Sequence, residues 1–488
     1  MPRLRELIAT LGVVAALMAL PQVATAQTNG TWTNTAGGTW GDTGNWSGGI
    51  VASGTGATAN FSTLNISGVQ TVTLNSPVTS GTLLFGDTTT PAGGWTVTGD
   101  TLTLATVSGV PTINVTGFGN SHNYGTSAAT VSSVIAGSNG LNKSGTSALV
   151  LSAANTYSGT TTVGAGFLVL NHNSALGNTS GVSVANGSGL AIGSGITIGA
   201  GRSVSLAGSG VGSDGALTAI SGGTGTWAGS VATGGARVGY QNSNLVLTGS
   251  LSGNGITISG FGGDTQTAGV TQYAVTIAGT NNNYTGTTGV LRGVLKIGAD
   301  NALPATTTLQ IQTVTNSANS ATFDLNGFNQ TVAGLSSAVV NSGGTITGAA
   351  SAFLTNTGST LKTFTVNQAT SGTYTGMITG NLAFTKSGAG NLTLLPTLVT
   401  AASTGTTGTS TFSGDTFISA GTLTLGNANA LFGSTFDTAS TGTLSLGTLS
   451  AATVGGLKNS GTFTLTNSGS AFTLSVGGNN VSSTFAGR

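Results

Sequence analysis

The stretch NTYSGTTTVGAGFLVLNHNSALG (Asn155 to Gly177) decides the fold, because it returns twice along the chain. It recurs as NNYTGTTGVLRGVLKIGADNALP (Asn282 to Pro304) and as TFSGDTFISAGTLTLGNANALFG (Thr411 to Gly433). Each copy has an aromatic residue near its start: Tyr157, Tyr284 and Phe412. The interval from the first of these residues to the second equals that from the second to the third within one position. A near-constant interval over hundreds of residues is typical of a solenoid whose coils rest on one another.

Local periodicity predicts that the coils are made of strands. Segments such as TVTLNSPVTSGTLLFG (Thr71 to Gly86) and LVLTGSLSGNGITISG (Leu245 to Gly260) alternate apolar and hydroxyl residues, as half-buried strands do. Glycine-containing pairs interrupt them every few residues and mark turns. The sequence therefore predicts an all-β chain, and the repeats favour a right-handed parallel β-helix over a globular β-sandwich. With about 21 residues per coil and about 4.8 Å between paired strands, we expect about 22 coils and a rod about 100 Å long.

The composition excludes several classes of protein. The chain has 488 residues with 83 glycines, no cysteine and 4% charged residues, where about 25% charge is usual. Beyond Ala26 the chain has nine basic and nine acidic side chains, and we expect no nucleic-acid partner from so neutral a surface. An apolar fraction of 38% argues against disorder.

The N-terminal segment, from Met1 to Ala26, has the pattern of a cleaved signal peptide. Arg3 and Arg5 precede an apolar run from Leu7 to Leu20, and Ala24-Thr25-Ala26 supplies small residues before the cleavage point. A membrane anchor is the alternative, but the run is shorter than the about 20 residues that a spanning helix needs. We therefore expect export to the cell surface or outer membrane, or to the extracellular medium.

The run GLNKSGTSALVLSAANTYSGTTTVGAGFLVLNHNSALG (Gly140 to Gly177) resembles a known bacterial repeat. It is similar to the autotransporter-associated β-strand repeat, also called the passenger-associated transport repeat. The resemblance rests on residues that stand at the repeat's characteristic places: Lys143, Gly145, Asn155, Thr156, Tyr157, Gly159, Thr161, Val163, Gly166 and Leu168. LNGFNQTVAGLS (Leu325 to Ser336) also resembles a segment common between such repeats. The resemblance implies a surface passenger whose stepwise coil formation helps it to fold outside the cell.

The other two copies depart from this pattern. The third copy keeps Lys386-Ser387-Gly388, but its aromatic residue follows the lysine at nearly twice the distance found in the first copy, which predicts an inserted loop around Pro396 to Gly408. The second copy has no corresponding lysine. The opening segment TWTNTAGGTWGDTGNWSGG (Thr31 to Gly49) resembles the tryptophan-rich module that precedes such repeats. We interpret its tryptophans as a cap over the first coil, with a carbohydrate-stacking platform as the alternative.

The domain organisation follows from these features. We predict a signal peptide at residues 1–26, a cap with the first coils at 27–110, and a β-helix at 111–488. The β-helix would hold its repeats at residues 135–177, 275–304 and 382–433. Passengers of the resembled family usually continue into a β-barrel translocator, and the sequence has none. We therefore expect the chain to be truncated at its C-terminus, with such a barrel as a missing partner.

Candidate catalytic and metal-binding residues are few. The mature chain has no glutamate, and the aspartate pairs Asp415/Asp437 and Asp300/Asp324 are each separated by about one coil. Such a separation could join either pair into the two-carboxylate arrangement of a glycosidase, but we interpret them as isolated turn residues. His122 and His172 lack a second ligand at metal-binding spacing. We predict no catalytic, cofactor-binding or metal-binding residues.

The sequence favours a structural or adhesin-like surface passenger that binds a glycan or a protein. Two alternatives remain. A polysaccharide-processing β-helix enzyme would need acids that the coils bring together. A secreted carbohydrate- or ice-binding solenoid would need an exposed ladder of aromatic or threonine side chains. Pairs such as Thr71/Thr73 and Thr422/Thr424 suggest the second, although we expect them to lack one-coil spacing.

Overall fold

The computed structural model describes residues 27–89, 93–118, 128–261, 273–314, 320–337, 339–340, 351–400, 403–467 and 471–487. The predicted signal peptide and His122 lie outside these ranges. The described chain is a parallel β-helix, as the repeats predict: its strands stack in rows along the rod, and successive strands of a row come from successive coils. Within the described ranges, three short 3-10 helices interrupt the strands: Thr43–Asn45, Ser47–Gly49 and Val211–Ser213.

Two long rows form the N-terminal part of the rod. The first contains Gly30–Thr31, Thr58–Phe61, Thr82–Phe85, Thr112–Val115, Leu141–Ser144, Ser158–Val163, Asn178–Val184, Val204–Leu206, Val231–Ala232 and Leu251–Ser252. The second contains Gly38–Thr39, Gly68–Leu74, Gly93–Gly99, Ala129–Val131, Leu149–Leu151, Gly166–Leu170, Ser188–Ile192, Leu217–Ala219, Arg237–Gln241, Asn254–Phe261, Thr285–Ile297, Thr308–Ile311 and Gly334–Ser336.

Further rows complete the coils. The remaining side of the N-terminal and middle coils contains two rows. The first holds Val78–Ser80, Leu102–Leu104 and Ile135–Ala136. The second holds Thr197–Ile198, Thr224–Trp227, Asn244–Leu247, Ala274–Ile277, the second half of Thr285–Ile297, Ala321–Asp324, Ala352–Asn356 and Met377–Gly380. The C-terminal coils contribute one row of Gln330–Val332, Lys362–Asn367, Leu382–Ser387, Thr416–Ile418, Leu431–Asp437, Ala451–Lys458 and Thr473–Val476. Another holds Gly372–Tyr374, Asn391–Leu394, Thr422–Leu425, Thr443–Ser445 and Thr464–Thr466, and a small pair joins Thr313–Val314 to Val339–Val340.

One large apolar core runs through the stack, and a smaller, separate cluster of buried residues includes Phe167 and Val169. Inward side chains of neighbouring coils lie directly over one another, because the strands pair in parallel and in register. One such ladder consists of Leu149, Leu168, Leu190, Leu217, Val238, Ile258, Val290 and Ile311. Each of these side chains is fully buried. Leu168, one of the residues that mark the resembled repeat, therefore points into the core.

The coils are less regular than the sequence predicts. One short coil runs from Leu149 to Leu168, whereas the coil from Trp95 to Ala129 is nearly twice as long. Among the described residues, the thirteen strands of the second row and the five from Gly372–Tyr374 onward indicate eighteen coils rather than about 22. At about 4.8 Å per coil the rod is roughly 85 Å long. The long turns account for the difference, because they add residues to a coil without adding a strand to the row.

The loop predicted around Pro396 to Gly408 is an antiparallel hairpin. Thr397–Thr400 pairs with Ser403–Thr407, and the Gly408 amide donates to the Pro396 carbonyl at 3.0 Å where the hairpin leaves the coil. The side-chain amide of Asn427, one coil further on, donates to Pro396 O at 2.7 Å and to Gly408 O at 3.3 Å. The insertion is therefore fastened at its base to the next coil.

Candidate functional site

The N-terminal tryptophans pack into the end of the core. The indole rings of Trp32 and Trp46 meet edge to face at 5.1 Å between centroids, and Trp40 contacts Trp46 at 5.2 Å. All three are at most 3% exposed, and each indole N–H donates to a backbone carbonyl. A carbohydrate-stacking platform needs exposed ring faces, which these residues lack. Their burial supports the interpretation as a cap.

The aspartates predicted as turn residues fall into two cases. Asp300 and Asp324 accept hydrogen bonds that reach the next coil: Asp324 is buried and accepts from the Asn326 amide of its own turn and from the backbone N–H and hydroxyl of Thr357, one coil away. Asp300 accepts from the backbone amide of Asn329 at 2.7 Å. His172 is also a turn residue, whose Nδ1 accepts from the Ser174 amide at 3.0 Å.

For Asp415 and Asp437 the prediction of isolated turn residues is wrong. Lys458 lies between them, with its Nζ 2.6 Å from Asp415 Oδ2 and 3.4 Å from Asp437 Oδ2. Burial would raise the pKa of Asp437, but hydrogen bonds from Asn459 and the Ala439 amide and the nearby Lys458 charge bring it below its usual value. A glycosidase acid needs a raised pKa. This cluster holds its carboxylate ionised instead.

Two further features bear on function. No group of three or more histidine, cysteine, aspartate or glutamate side chains that could hold a metal ion occurs in the described part of the chain. In the same ranges, no helix has the length and apolar character of a membrane-spanning segment.

The threonine pairs do have one-coil spacing, contrary to the prediction. Thr71 and Thr73 pair in register with Thr96 and Thr98 of the next coil. A longer array lies on the C-terminal rows, where outward positions of successive strands carry Thr422 and Thr424, Thr443 and Ser445, and Thr464 and Thr466. All six side chains are half-exposed or exposed. The unequal turn lengths hid this register in the sequence.

Each repeat places a hydroxyl network inside the core. The hydroxyl of Tyr157 lies 3.0 Å from that of Thr161, which donates at 3.0 Å to Thr179 on the next coil. The Thr179 hydroxyl in turn lies 2.9 Å from the Gly159 carbonyl. Burial raises the pKa of Tyr157 to about 12, although the hydrogen bond with Thr161 acts in the opposite direction. The phenol therefore stays protonated, and the network joins two coils.

The middle repeat contains the same network, and the third contains its threonine part. Tyr284, Thr288 and Thr307 are linked in the middle repeat by distances of 2.6 and 2.9 Å. In the third repeat Phe412 brings no hydroxyl, and Thr416 bonds to Ser434 at 2.7 Å. The hydroxyl partner on the next coil follows the aromatic residue at the same offset, within one position, in every copy. This partner is not among the residues predicted from the sequence, although its constant offset is a signal that indicates it.

An asparagine two residues before the aromatic connects three coils. Asn155 Oδ1 accepts from the Ile135 amide of the preceding coil at 2.8 Å, and its Nδ2 donates to the Ala175 carbonyl of the following coil at 2.7 Å. Asn282 makes the same two bonds, to the Leu251 amide and the Ala302 carbonyl, at 2.6 Å each. These amides, of which that of Asn155 is buried, replace backbone pairing where the chain turns between strands.

Lys143 is fully buried, and its ammonium is enclosed by three backbone carbonyls. Nζ donates to Ser144 O and Gly145 O at 2.8 Å and to Ala165 O at 2.9 Å. Ser144 and Gly145 form the corner that follows the lysine, whereas Ala165 belongs to the corresponding corner one coil further on. Burial lowers the pKa of Lys143 to about 7. The three acceptors oppose this shift, since only the ammonium can donate to all of them.

Lys386 repeats this geometry in the third copy. Its Nζ donates to Ser387 O and Gly388 O at 2.8 Å and to Ala420 O at 3.1 Å. Burial lowers its pKa to about 8. The corner requires glycine, because Gly145 and Gly388 have φ values of 76° and 78°. We call each lysine with its three carbonyls a lysine cage.

Residues 141–170 and 384–425 match the passenger-associated-transport-repeat family. Both segments are thus similar to passenger-associated-transport repeats. The chain is also similar to the adhesin BmaC autotransporter of Brucella suis biovar 1 (strain 1330), with 41% identity over 107 residues. That similarity covers 22% of this chain and 3% of the adhesin, so the chain spans a small fraction of the curated relative's length. No solved structure matches the chain.

The two transport repeats that match are those with a lysine cage. In the middle copy, Ile258 pairs with Val290 at the place where Lys143 pairs with Val163. The hydroxyl of Tyr240 lies in that corner instead, where it accepts from the Val294 amide at 3.1 Å. The missing lysine is visible in the sequence, but its replacement by Tyr240 is not, because the tyrosine comes from the preceding coil and stands outside the repeated segment.

Proposed function

We propose that this chain is a secreted or cell-surface passenger of a structural, adhesin-like type and that it has no catalytic activity. The supporting observation is the pair of transport repeats within one continuous parallel β-helix. The similarity to a protein named as an autotransporter adhesin supports the same function. A stiff rod of this kind would extend a binding surface away from the cell and contact a glycan or a protein.

Export is the second part of the proposal. Residues 1–26 would act as a cleaved signal peptide, and an outer-membrane β-barrel translocator would be the partner. The absence of cysteine suits a chain that crosses a pore unfolded, because no disulfide can lock it prematurely. The polar bonds of each repeat join adjacent coils, so every coil that emerges can be fixed to the one before it.

The absence of catalysis is proposed from the state of the aspartates. Asp415 and Asp437 share Lys458, an arrangement that neutralises charge and keeps the Asp437 carboxylate ionised. Asp324 is saturated by hydrogen bonds from its own turn and from Thr357. Neither arrangement supplies the protonated acid that sugar cleavage requires.

Surface display tests this function. The chain would be fused to a heterologous translocator barrel in a non-adherent Gram-negative host, with surface exposure measured by antibody labelling of intact cells. We expect labelling together with adhesion to host-cell layers or to glycan arrays. The Leu168→Asp variant, which should disrupt the rod, is the control for adhesion that depends on the fold. Release of reducing sugar from acidic or neutral polysaccharides by the purified chain would contradict the non-catalytic assignment.

The threonine array supports a second candidate function. Its hydroxyls repeat at about 4.8 Å between coils and about 6.7 Å along each strand, which suits an ordered surface such as ice or a crystalline polysaccharide. Partition of the chain into growing ice or onto insoluble polysaccharide would test this, with Thr443→Tyr as the variant that breaks the flat surface. If neither surface retains the chain, this candidate is removed, and adhesion by other surfaces remains.

A further inference from the structure

Two-residue slips between coils are a general hazard for this sequence. Side chains of a strand alternate between two faces, so a shift by two residues returns the same side chains to the core. Leu141–Ser144 pairs with Ser158–Val163, a strand that contains three consecutive threonines. A shift here would still place an apolar or hydroxyl side chain inward, and the apolar pattern alone therefore specifies the register weakly.

The lysine cage is sensitive to such a shift. Two of its acceptors, Ser144 O and Gly145 O, belong to the corner beside Lys143 and stay with it in any register. The third acceptor, Ala165 O, comes from the next coil and is in place only in the observed pairing. A slip of two residues would move it by about 6.7 Å along the strand. The buried ammonium would then lack an acceptor, which is costly in a dry core.

The cage recognises backbone position and no side chain. Every one of its hydrogen bonds ends on a carbonyl oxygen, in both Lys143 and Lys386. Because the two cages have the same geometry, they perform the same task at two distant places in the chain. Single buried polar groups are known to fix register in coiled coils in this way, at no gain in stability.

We propose that Lys143 and Lys386 set the register between successive coils of the transport repeats. They are positioning residues: each makes the observed pairing the one in which its ammonium is satisfied. This inference deepens the proposed passenger function and rests on it only for its cellular meaning, since register selection can be measured on the purified chain.

A lysine that sets the register and a lysine that only stabilises the fold predict different results when the lysine is replaced. Lys143→Met replaces the caged ammonium with an apolar side chain of similar length, and such replacements of buried charge are often neutral or stabilising. We therefore expect an unchanged or higher thermal midpoint together with a mixture of registers after refolding. A lysine that only stabilises would give the opposite result: a lower midpoint and a single register.

Engineered disulfides report the register, because the natural chain has no cysteine. Asn142 and Thr162 are outward Cα partners in adjacent coils, close enough for a disulfide. Thr160, two residues earlier, would be about 8 Å from Asn142, too far for one. The full chain would be made with Asn142→Cys/Thr162→Cys or with Asn142→Cys/Thr160→Cys, refolded, oxidised, and analysed by non-reducing peptide mapping.

The proposal gives a clear expectation for these pairs. With Lys143 present, only the Asn142→Cys/Thr162→Cys pair crosslinks. With Lys143→Met, the shifted pair should crosslink in a yield several times higher than before. Leu141→Met is the matched control, because it changes an inward side chain of the same strand without touching a polar group, and it should leave the shifted pair uncrosslinked. A Lys143→Met chain that forms only the in-register crosslink would overturn the proposal.

The second cage repeats the test independently. Thr385 and Phe417 are Cα partners next to Lys386, and Ser419 stands two residues beyond. The Thr385→Cys/Phe417→Cys pair reports the observed register, and the Thr385→Cys/Ser419→Cys pair reports a shift by two residues. In the Lys386→Met chain both pairs should therefore crosslink. If Lys143→Met and Lys386→Met chains both fail to regain β-structure, the proposal is also overturned, because it requires that the core accept an apolar side chain at these positions.

Discussion

The hydroxyl oxygen of Tyr284 lies 2.6 Å from the hydroxyl oxygen of Thr288 in the core of the middle repeat. Phe412 occupies the matching place in the third repeat, where Thr416 has Ser434 as its hydroxyl neighbour. The chain thus offers the same buried position with and without a phenolic oxygen. This natural difference allows the contribution of the hydroxyl network to be measured in both directions.

We expect Tyr157→Phe to destabilise the coils around the first repeat by about 1 kcal/mol, because Thr161 loses one buried hydrogen-bond partner. The reciprocal change, Phe412→Tyr, should give an equal or smaller gain by adding a phenol beside Thr416. Hydrogen exchange of the two repeats measures both effects locally, which suits a stack whose coils need not unfold together. Destabilisation by both variants would show that space, rather than hydrogen bonding, determines the aromatic position.

Leu168→Asp should unfold the neighbouring coils, because it places an unpaired charge in a ladder of fully buried side chains. A loss of about 4 kcal/mol or more is expected for such a burial. Limited proteolysis followed by mass spectrometry would locate new cleavage in the coils on either side of the variant residue. Thr162→Asp is the control, since this side chain lies on the outer surface of the same coil and the charge there stays hydrated. Equal protease resistance of the two variants would contradict the inward position of Leu168.

The lysine cages predict how folding stability changes with pH above neutrality. Burial lowers the pKa of Lys143 to about 7 from its ordinary value of 10.5. Between these two values the unfolded chain binds more protons than the folded one, so stability should rise as the pH is raised from about 7 toward 10.5. The rise should disappear in the Lys143→Met/Lys386→Met chain. Denaturant unfolding at pH 7, 8.5 and 10 checks this. If the unfolding free energy changes with pH equally in the natural chain and in the Lys143→Met/Lys386→Met chain, the three carbonyls offset the effect of burial on the lysine pKa.

The Asp415–Lys458–Asp437 cluster predicts how folding stability changes with pH in acid. The pKa of Asp437 in the folded chain is held below its ordinary value of 3.8. The contribution of its carboxylate to folding stability is therefore complete above pH 3.8 and is lost as the pH falls through the folded-state pKa. The effect should be modest, about 1 kcal/mol or less, because the cluster is partly exposed. Hydrogen exchange of Ala451–Lys458 between pH 6 and pH 3 measures it. Asp437→Asn should flatten the acid dependence; an unchanged profile would place the acid-sensitive group elsewhere.

The fold was predictable because the repeat interval and the alternation of side chains are local properties of the sequence. The aromatic residues recur in the predicted register, the corner glycines stand at turns, and the predicted inserted loop appears as the hairpin Thr397–Thr400 with Ser403–Thr407. The burial of the N-terminal tryptophans was predictable as well, since an open end of a stack must be covered.

What the sequence concealed depends on turn length. Asp415, Asp437 and Lys458 meet because the intervening turns happen to bring three coils into line. The register of the threonine array could not be predicted for the same reason. Nor could the role of Tyr240, whose hydroxyl lies in a corner of the middle repeat although the residue itself stands outside the repeated segment. The role of Lys143 could be recognised as part of a motif, but not its cage, because carbonyl oxygens carry no sequence signal.

The hairpin's base has a consequence for how such rods diversify. At its base the Gly408 amide donates a hydrogen bond to the Pro396 carbonyl. The side-chain amide of Asn427, on the next coil, donates to the carbonyl oxygens of both Pro396 and Gly408. A foreign peptide of any length could therefore replace the hairpin tip while the coils above and below keep their contacts. The stack of coils and this lateral hairpin are structurally separable, which makes the hairpin a natural grafting point for a foreign peptide or domain.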